Sequence, residues 1–494
     1  MLASLAIGVL GLATRVFSLP TIEAKGSKFF LSTGEQFYIK GVAYQLTVDD
    51  PLANTAQCQL DAALMKTLGA NSVRVYHVMA DSDHDGCMSA FSDAGIYTWI
   101  DLDTFTTYIV QDGPQWTQKQ YLAYQEVMDA FHSYDNVAGF FVGNEMLNAG
   151  TDSPAAPYVK AAARDMKAYR DNKGYRSIPI GYSAADIAQL RPNLQNYMAC
   201  GDNAKEALDF FSLNAYEWCG DSSYETSGYQ FLQMNASEYN IPIFFSETGC
   251  NTPAPRTFGD QSAIFGDKMS GTWSGAIIYE WIEETNNYGI VSYGAPADAT
   301  ATGAGIVAGY TRTGTPTPIS PDFENLSTQW ASVSPSGVSM NAYSPTMTPP
   351  ACPSYTSGLW EVSGDVPLPT IGQAVSNQQS SATATSGGSG SSSASSGKST
   401  GSGSGSGSST SSQSSSTSGA PSSIYSSSVS SLSATVSSSV TTGSSATSDS
   451  ATGTAGAQGG AASASATGTS SAATKTSALL GLLGAFGLVV CAGL

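Results

Sequence analysis

Residues 137–145 read Val-Ala-Gly-Phe-Phe-Val-Gly-Asn-Glu, an unbroken apolar run that stops abruptly on an amide and a carboxylic acid. A strand covered on both faces shows no polar alternation, and Val137–Val142 shows none. Seven other stretches share this character: Phe37–Val42, Ser72–Val75, Tyr97–Leu102, Ile178–Tyr182, Phe210–Asn214, Ile243–Ser246 and Ala276–Tyr279. They are short and rich in β-branched and aromatic residues, as buried parallel strands are. Helical patterns lie between most of them. Thr55–Leu68 sets Leu60, Leu64 and Leu68 four residues apart, and Gln118–His132 opens behind Thr117 and carries Tyr121, Val127, Met128 and Phe131. Pro157–Arg170, Glu225–Tyr239 and Gly259–Met269 follow. About eight strand–helix repeats predict an α/β fold, a (β/α)8 TIM barrel, with a doubly wound open sheet as the alternative.

Beyond that core the composition changes. Apolar and aromatic residues are dense from about Ile22 to Asp365, enough for a large core, whereas Gln373–Ser477 is almost entirely Ser, Gly, Thr and Ala. Such a tail buries too little apolar surface to offset its ordering entropy, and is expected to be a disordered, semi-extended stalk. Met1–Ser18 carries an apolar run, Leu5–Leu12, followed by small residues, which reads as a secretory signal peptide although no Lys or Arg precedes the run. Ala478–Leu494 is nearly all apolar and short for a spanning helix. A polar stretch, Thr467–Ser477, and small residues around Ser463–Gly468 precede it, the layout of a GPI-anchor signal whose tail is removed. An ordinary C-terminal membrane helix is the alternative.

The chain of 494 residues has 39 Asp and Glu against 20 Lys and Arg, a net charge of −19. Without basic clusters the counterion-release term that drives nucleic-acid binding is missing, so no nucleic-acid partner is expected. Seven cysteines occur, with Cys491 in the segment expected to be removed. The remaining Cys58, Cys87, Cys200, Cys219, Cys250 and Cys352 form an even set suited to an oxidising compartment, with their pairing open. There is no CxxC and only 3 His, so neither a zinc site nor any other metal or cofactor is expected. Asp81-Ser-Asp83-His-Asp85-Gly86 imitates a calcium loop, but Ser92 stands where the closing Glu belongs; a polar loop pinned by Cys87 is the reading. Asn235-Ala-Ser237 and Asn325-Leu-Ser327 are glycosylation sequons.

A barrel of this kind builds its site just beyond the C-terminal ends of its strands. Those positions hold Gln45, Tyr76, Asp101, Asn144-Glu145, Asp186, Tyr216-Glu217, Glu247 and Tyr279-Glu280. Carboxylates and tyrosines with few cations suit a neutral, polyhydroxylated substrate. Glu145 and Glu247, ending the fourth and seventh strands, can converge across the mouth on the gap of about 5–5.5 Å that a retaining glycosidase needs.

The residues Gly41-Val42-Ala43-Tyr44-Gln45, Asn71-Ser72-Val73-Arg74-Val75-Tyr76, Asn144-Glu145, Tyr182-Ser183-Ala184-Ala185-Asp186, Asn214-Ala215-Tyr216-Glu217-Trp218-Cys219 and Phe245-Ser246-Glu247-Thr248-Gly249-Cys250 resemble the fungal β-1,3-glucanosyltransferases of glycoside hydrolase family 72. The resemblance spans roughly residues 20–345 together with the Ser-rich tail and the anchor signal. It implies Glu145 as acid/base, Glu247 as nucleophile, and substrate contacts by Gln45, Tyr76, Asp101, Asn144, Asp186, Arg191, Tyr216 and Tyr279. Disulfides Cys58–Cys87, Cys219–Cys250 and Cys200–Cys352 are implied as well. Many family members carry a second Cys-rich glucan-binding module, whereas here only Cys352 lies between Cys250 and the tail.

The implied domain plan is a signal peptide at 1–18, a catalytic barrel at 19–345, an extension at 346–372 tied back by Cys352, a stalk at 373–465 and an anchor signal at 466–494. The implied partners are β-1,3-glucan donor and acceptor chains and a GPI lipid anchor, at the outer face of the plasma membrane and also at the wall. Transfer needs an acceptor site that holds sugar better than water, with Tyr76, Tyr216, Tyr279, Tyr288 and Trp281 as candidates for stacking. An endo-β-1,3-glucanase and a non-catalytic wall-binding protein are the other readings.

Overall fold

The computed structural model describes residues 18–373, apart from 48, 302, 304 and 365. The expected signal peptide, stalk and anchor signal therefore lie almost wholly outside the described residues, as does Cys491. The chain opens with an antiparallel hairpin, β1 (Ile22–Lys25) and β2 (Lys28–Leu31), turning at Gly26 with φ 56°. Eight strands follow: β3 (Ile39–Ala43), β4 (Ser72–Val75), β5 (Tyr97–Asp101), β6 (Val137–Asn144), β7 (Ile180–Ala185), β8 (Phe210–Asn214), β9 (Ile243–Thr248) and β10 (Trp273–Ile278). Each pairs in parallel with the next, and β10 returns to β3, closing the barrel. Closure excludes the open sheet.

Around the barrel run α1 (Thr55–Leu68), α2 (Asp85–Ala94), α3 (Gln118–Phe131), α4 (Ala156–Asn172), α5 (Arg191–Ala199), α6 (Tyr229–Ala236), α7 (Gly259–Ile264) and α8 (Asp322–Ser332). The Asn54 side chain caps the start of α1, and Gly69 ends it in the left-handed region that a side chain would strain. Thr117 and Gln120 form a reciprocal capping box on α3. The buried face of α1 is Cys58, Asp61, Ala62, Met65 and Leu68, so Leu60, 44% exposed, is not on the stripe its spacing suggested. Glu225–Tyr239 shrinks to α6 because Gly228, at φ 84°, delays its start. The calcium-like segment is no loop throughout: Asp85 opens α2, and Cys87 in its first turn is bonded to Cys58 of α1.

The lower half of the barrel is packed with aromatic rings. Trp99, Phe141, Phe210 and Phe244 point inward from four strands, and Phe29 of the hairpin enters from below. Its ring meets Trp99 at 5.2 Å, Phe210 at 5.9 Å and Phe244 at 6.0 Å, all edge to face. With apolar bulk below, polar residues collect above. Register sets Asn144 beside Ser183 and Asn214 beside Glu247 in one layer of the mouth.

Residues beyond the barrel run back along its flank. Cys352 is bonded to Cys200, and the fully buried Trp360 packs on Tyr197 at 5.2 Å. Farther on, Pro369 O accepts from Arg164, and Gly372 N donates to Trp116 O at 2.8 Å. The third disulfide, Cys219–Cys250, joins the loops that follow β8 and β9.

Candidate active site

The C-terminal ends of β4, β6, β7, β8 and β9 each deliver one or two polar side chains to the same layer. At its centre is Arg74 of β4, wholly buried, a cation inside an apolar run. Its guanidinium donates to Asp101 from Nε at 3.2 Å and from Nη2 at 2.9 Å, to Asn144 Oδ1 at 2.9 Å, and to Ser183 Oγ at 3.0 Å. Nη1 also approaches Glu247 Oε1 at 3.5 Å. A buried cation without such partners would be too costly, and this guanidinium ties its own strand to the ends of β5, β6, β7 and β9.

Glu247 is held as an anion would be. Tyr76 donates to its Oε1 at 2.9 Å and Tyr216 to its Oε2 at 2.8 Å. On balance its carboxyl is raised, by burial first, although Arg74, Tyr216 and Tyr76 pull the other way. Glu145 has different company. Its Oε1 accepts one bond, from Asn214 Nδ2 at 2.8 Å, and its carboxyl is pushed up to about 8, by burial first and then by the charge of Glu247. With one neutral donor against three donors at Glu247, Glu145 is the carboxyl that keeps a proton more readily. A chain of hydrogen bonds links them: Glu247 to Arg74, Arg74 to Asn144, Asn144 to Asn214 and Asn214 to Glu145.

The backbone at Glu145 lies at φ 50°, a left-handed conformation that costs a side-chain-bearing residue about 1–3 kcal/mol. Its surroundings fix it there. Glu145 N donates to Ser183 O at 2.9 Å, Asn148 Nδ2 donates to Glu145 O at 3.2 Å, and Tyr182 OH accepts from Met146 N at 2.8 Å.

The other expected site residues divide into two groups. Gln45, Tyr76, Asn144, Tyr216 and Tyr279 gather around the two glutamates. Tyr279 OH accepts from Gln45 Nε2 at 2.8 Å, and Tyr288 packs edge to face on Tyr216 at 5.7 Å and on Tyr279 at 5.5 Å. Asn144 Oδ1 takes three donors, Arg74, Ser183 and Asn214, which leaves its Nδ2 for a ligand. Asp101, only 2% exposed, commits both oxygens to Arg74 and is the counter-charge of that cation. Asp186 ion-pairs with Arg191 at the start of α5. Trp281 is fully buried and donates Nε1 to Tyr293 OH at 2.9 Å, so it belongs to the core and offers no stacking face.

Asn235 is half-buried in the last turn of α6, and Asn325 lies in α8 with its Nδ2 donating to Arg256 O at 2.8 Å. Sequence reasoning missed Arg74, Ser183, Asn214 and Ser246 as site residues. The available signal was a charged or polar residue at an inward position within an apolar strand.

Residues 13–303 match the family model for glucanosyltransferases of glycoside hydrolase family 72. The chain is 41% identical over 378 residues to the 1,3-beta-glucanosyltransferase gas2 of Schizosaccharomyces pombe, covering 72% of this chain and 78% of the relative. It is 40% identical over 369 residues to the 1,3-beta-glucanosyltransferase GAS5 of Saccharomyces cerevisiae, covering 72% of each. Among solved structures, a glutamate-to-glutamine mutant of Saccharomyces cerevisiae Gas2p in complex with laminaritetraose and laminaripentaose superposes with a TM-score of 0.63 at 39% identity. That alignment covers 71% of this chain and 74% of the other. The chain thus belongs to the glucanosyltransferase family of glycoside hydrolases, family 72.

Proposed function

We propose that this protein is a retaining glucanosyltransferase that cuts a β-1,3-glucan chain internally and joins the new reducing end to the non-reducing end of a second chain. The observation that carries the reading is one hydrogen-bonded network holding two carboxyls in unlike surroundings, Glu145 with a single amide donor and Glu247 with two phenols and a guanidinium. A Glu247 oxygen attacks the anomeric carbon as the glycosidic C–O bond breaks, and the departing oxygen takes the Glu145 proton. Glu145 then removes the proton of an incoming 3-hydroxyl, whose oxygen displaces Glu247 and closes the new bond. Asn144 Nδ2 is suited to the sugar 2-hydroxyl, an interaction that strengthens in the transition state. Gln45, Tyr76, Tyr216 and Tyr279 would flank the sugar beside Glu247, and Asp186 with Arg191 would meet the chain farther along the rim.

The test is to size the products formed from a defined laminari-oligosaccharide. Products longer than the substrate require transfer; only shorter ones identify an endo-glucanase. Unchanged function at the wall in Glu145→Gln and Glu247→Gln variants, with no glucan product from the wild type, would instead mark a binding protein.

We further propose secretion and a GPI anchor at the outer face of the plasma membrane, from the terminal sequence patterns. Release of the protein from cells by a phosphatidylinositol-specific phospholipase tests the anchor. Asn235 and Asn325 are proposed as glycan acceptors; a glycan on Asn325 has to displace its bond to Arg256 O.

A further inference from the structure

Two residues past β10, Glu280 is fully buried and takes no part in the displacement above. Its Oε2 accepts from Gln45 Nε2 at 2.7 Å, and its Oε1 accepts from Asn286 Nδ2 at 2.7 Å. Gln45 gives its other N–H to the Tyr279 hydroxyl at 2.8 Å. Asn286 Oδ1 in turn accepts from Tyr288 N at 3.0 Å, and Glu280 N donates to Tyr288 O at 3.0 Å.

An oxygen that accepts obliges the amide opposite to turn its N–H toward it. Both Nε2 hydrogens of Gln45 are used in this way, and its Oε1 has no partner among the described residues. The Tyr279 oxygen accepts from Gln45, so its own hydrogen is left to donate. An acceptor beside a donor is what a sugar hydroxyl, itself donor and acceptor, requires. The Asn286 arm fixes the segment carrying Tyr288, whose ring closes the wall formed by Tyr216 and Tyr279.

We infer that Glu280 is a positioning residue of the glucan site, setting the direction of the Gln45 amide so that Gln45 Oε1 and the Tyr279 O–H together read one hydroxyl of the sugar beside Glu247. The ligand in this inference rests on the function proposed above; the orientation of Gln45 does not.

Glu280→Gln keeps the shape and turns one acceptor into a donor. In the substrate-free protein the side-chain amide protons of Gln45, assigned by their loss in Gln45→Leu, should exchange slowly with solvent, and at least about ten-fold faster in Glu280→Gln. With laminari-oligosaccharides, KM should rise about ten-fold in Glu280→Gln while kcat changes far less. Gln45→Leu combined with Glu280→Gln should lose no more than Gln45→Leu alone. Should Glu280→Gln not fold, Gln45→Leu with Tyr279→Phe, which leaves the acid in place, must show the same non-additivity. Unchanged amide exchange in a folded Glu280→Gln, or additive losses in either pair, overturns the inference. A wild-type protein inert toward β-1,3-glucan overturns the proposed function alone, and the exchange measurement still decides the orientation.

Discussion

Around Glu145 the hydrogen-bonding neighbour is an amide, and around Glu247 the neighbours are two phenols and a guanidinium. Both side chains end parallel strands of one barrel and both are largely withdrawn from water. What separates them is the count and charge of donors, one neutral N–H against two O–H groups and a cation. Each donor to a carboxylate lowers its affinity for a proton, and burial raises it. The same residue type is thereby divided into an acid and an anion by its surroundings. Arg74 sharpens the contrast: it contacts Glu247 at 3.5 Å, whereas its charge is the smallest of the influences on Glu145, behind burial, Glu247 and Asn214.

Deleting either carboxyl tests the division most severely. Glu247→Gln should lower kcat roughly 10^4-fold or more in the transfer assay, because no other group can form the covalent intermediate. Glu145→Gln should cost about 10^2–10^4-fold. Equal losses at every pH would break the asymmetry.

Smaller effects sharpen it. Tyr76→Phe and Tyr216→Phe each remove one donor to Glu247, and each should lower kcat/KM about 10- to 100-fold. They should also move the acid limb of the pH profile to higher pH, since Glu247 then holds its proton more readily. On the alkaline side, activity should fall as pH rises through about 8, where Glu145 gives up its proton. Asn214→Ala removes the bond that favours the charged form, so that limb should move higher still.

The least effect is on stability. Folded Glu145 is raised from the usual 4.5 to about 8, so the folded state binds more protons than the unfolded one between those values. Its contribution is complete below about 4.5 and is lost as pH rises through about 8. The melting temperature should decline over that interval, and Glu145→Gln should flatten the decline.

Much of this was legible in the chain. All eight barrel strands lie where short apolar runs marked them, because burial on both faces writes itself directly into composition. The candidate-site residues at the strand ends were legible for the related reason that they stop those runs. Harder to read was the hairpin of β1 and β2, although Lys25-Gly26-Ser27-Lys28 is a two-residue turn signal between short strands. Helices α2 and α5 lacked a regular apolar stripe, and α1 was found with the wrong face outward at Leu60. Arg74 escaped for a physical reason: its role is set by Asp101, Asn144, Ser183 and Glu247, far apart in sequence, which no local pattern contains. Asp101 is a substrate contact by the family resemblance, and nothing in the sequence signals that both its oxygens also meet that same arginine.

The ring of Phe29 beneath the barrel bears on how a polymer can be handled. A cylinder corked at its base cannot be threaded, so a polymer reaching the site proposed above would have to approach from the open rim and lie across it.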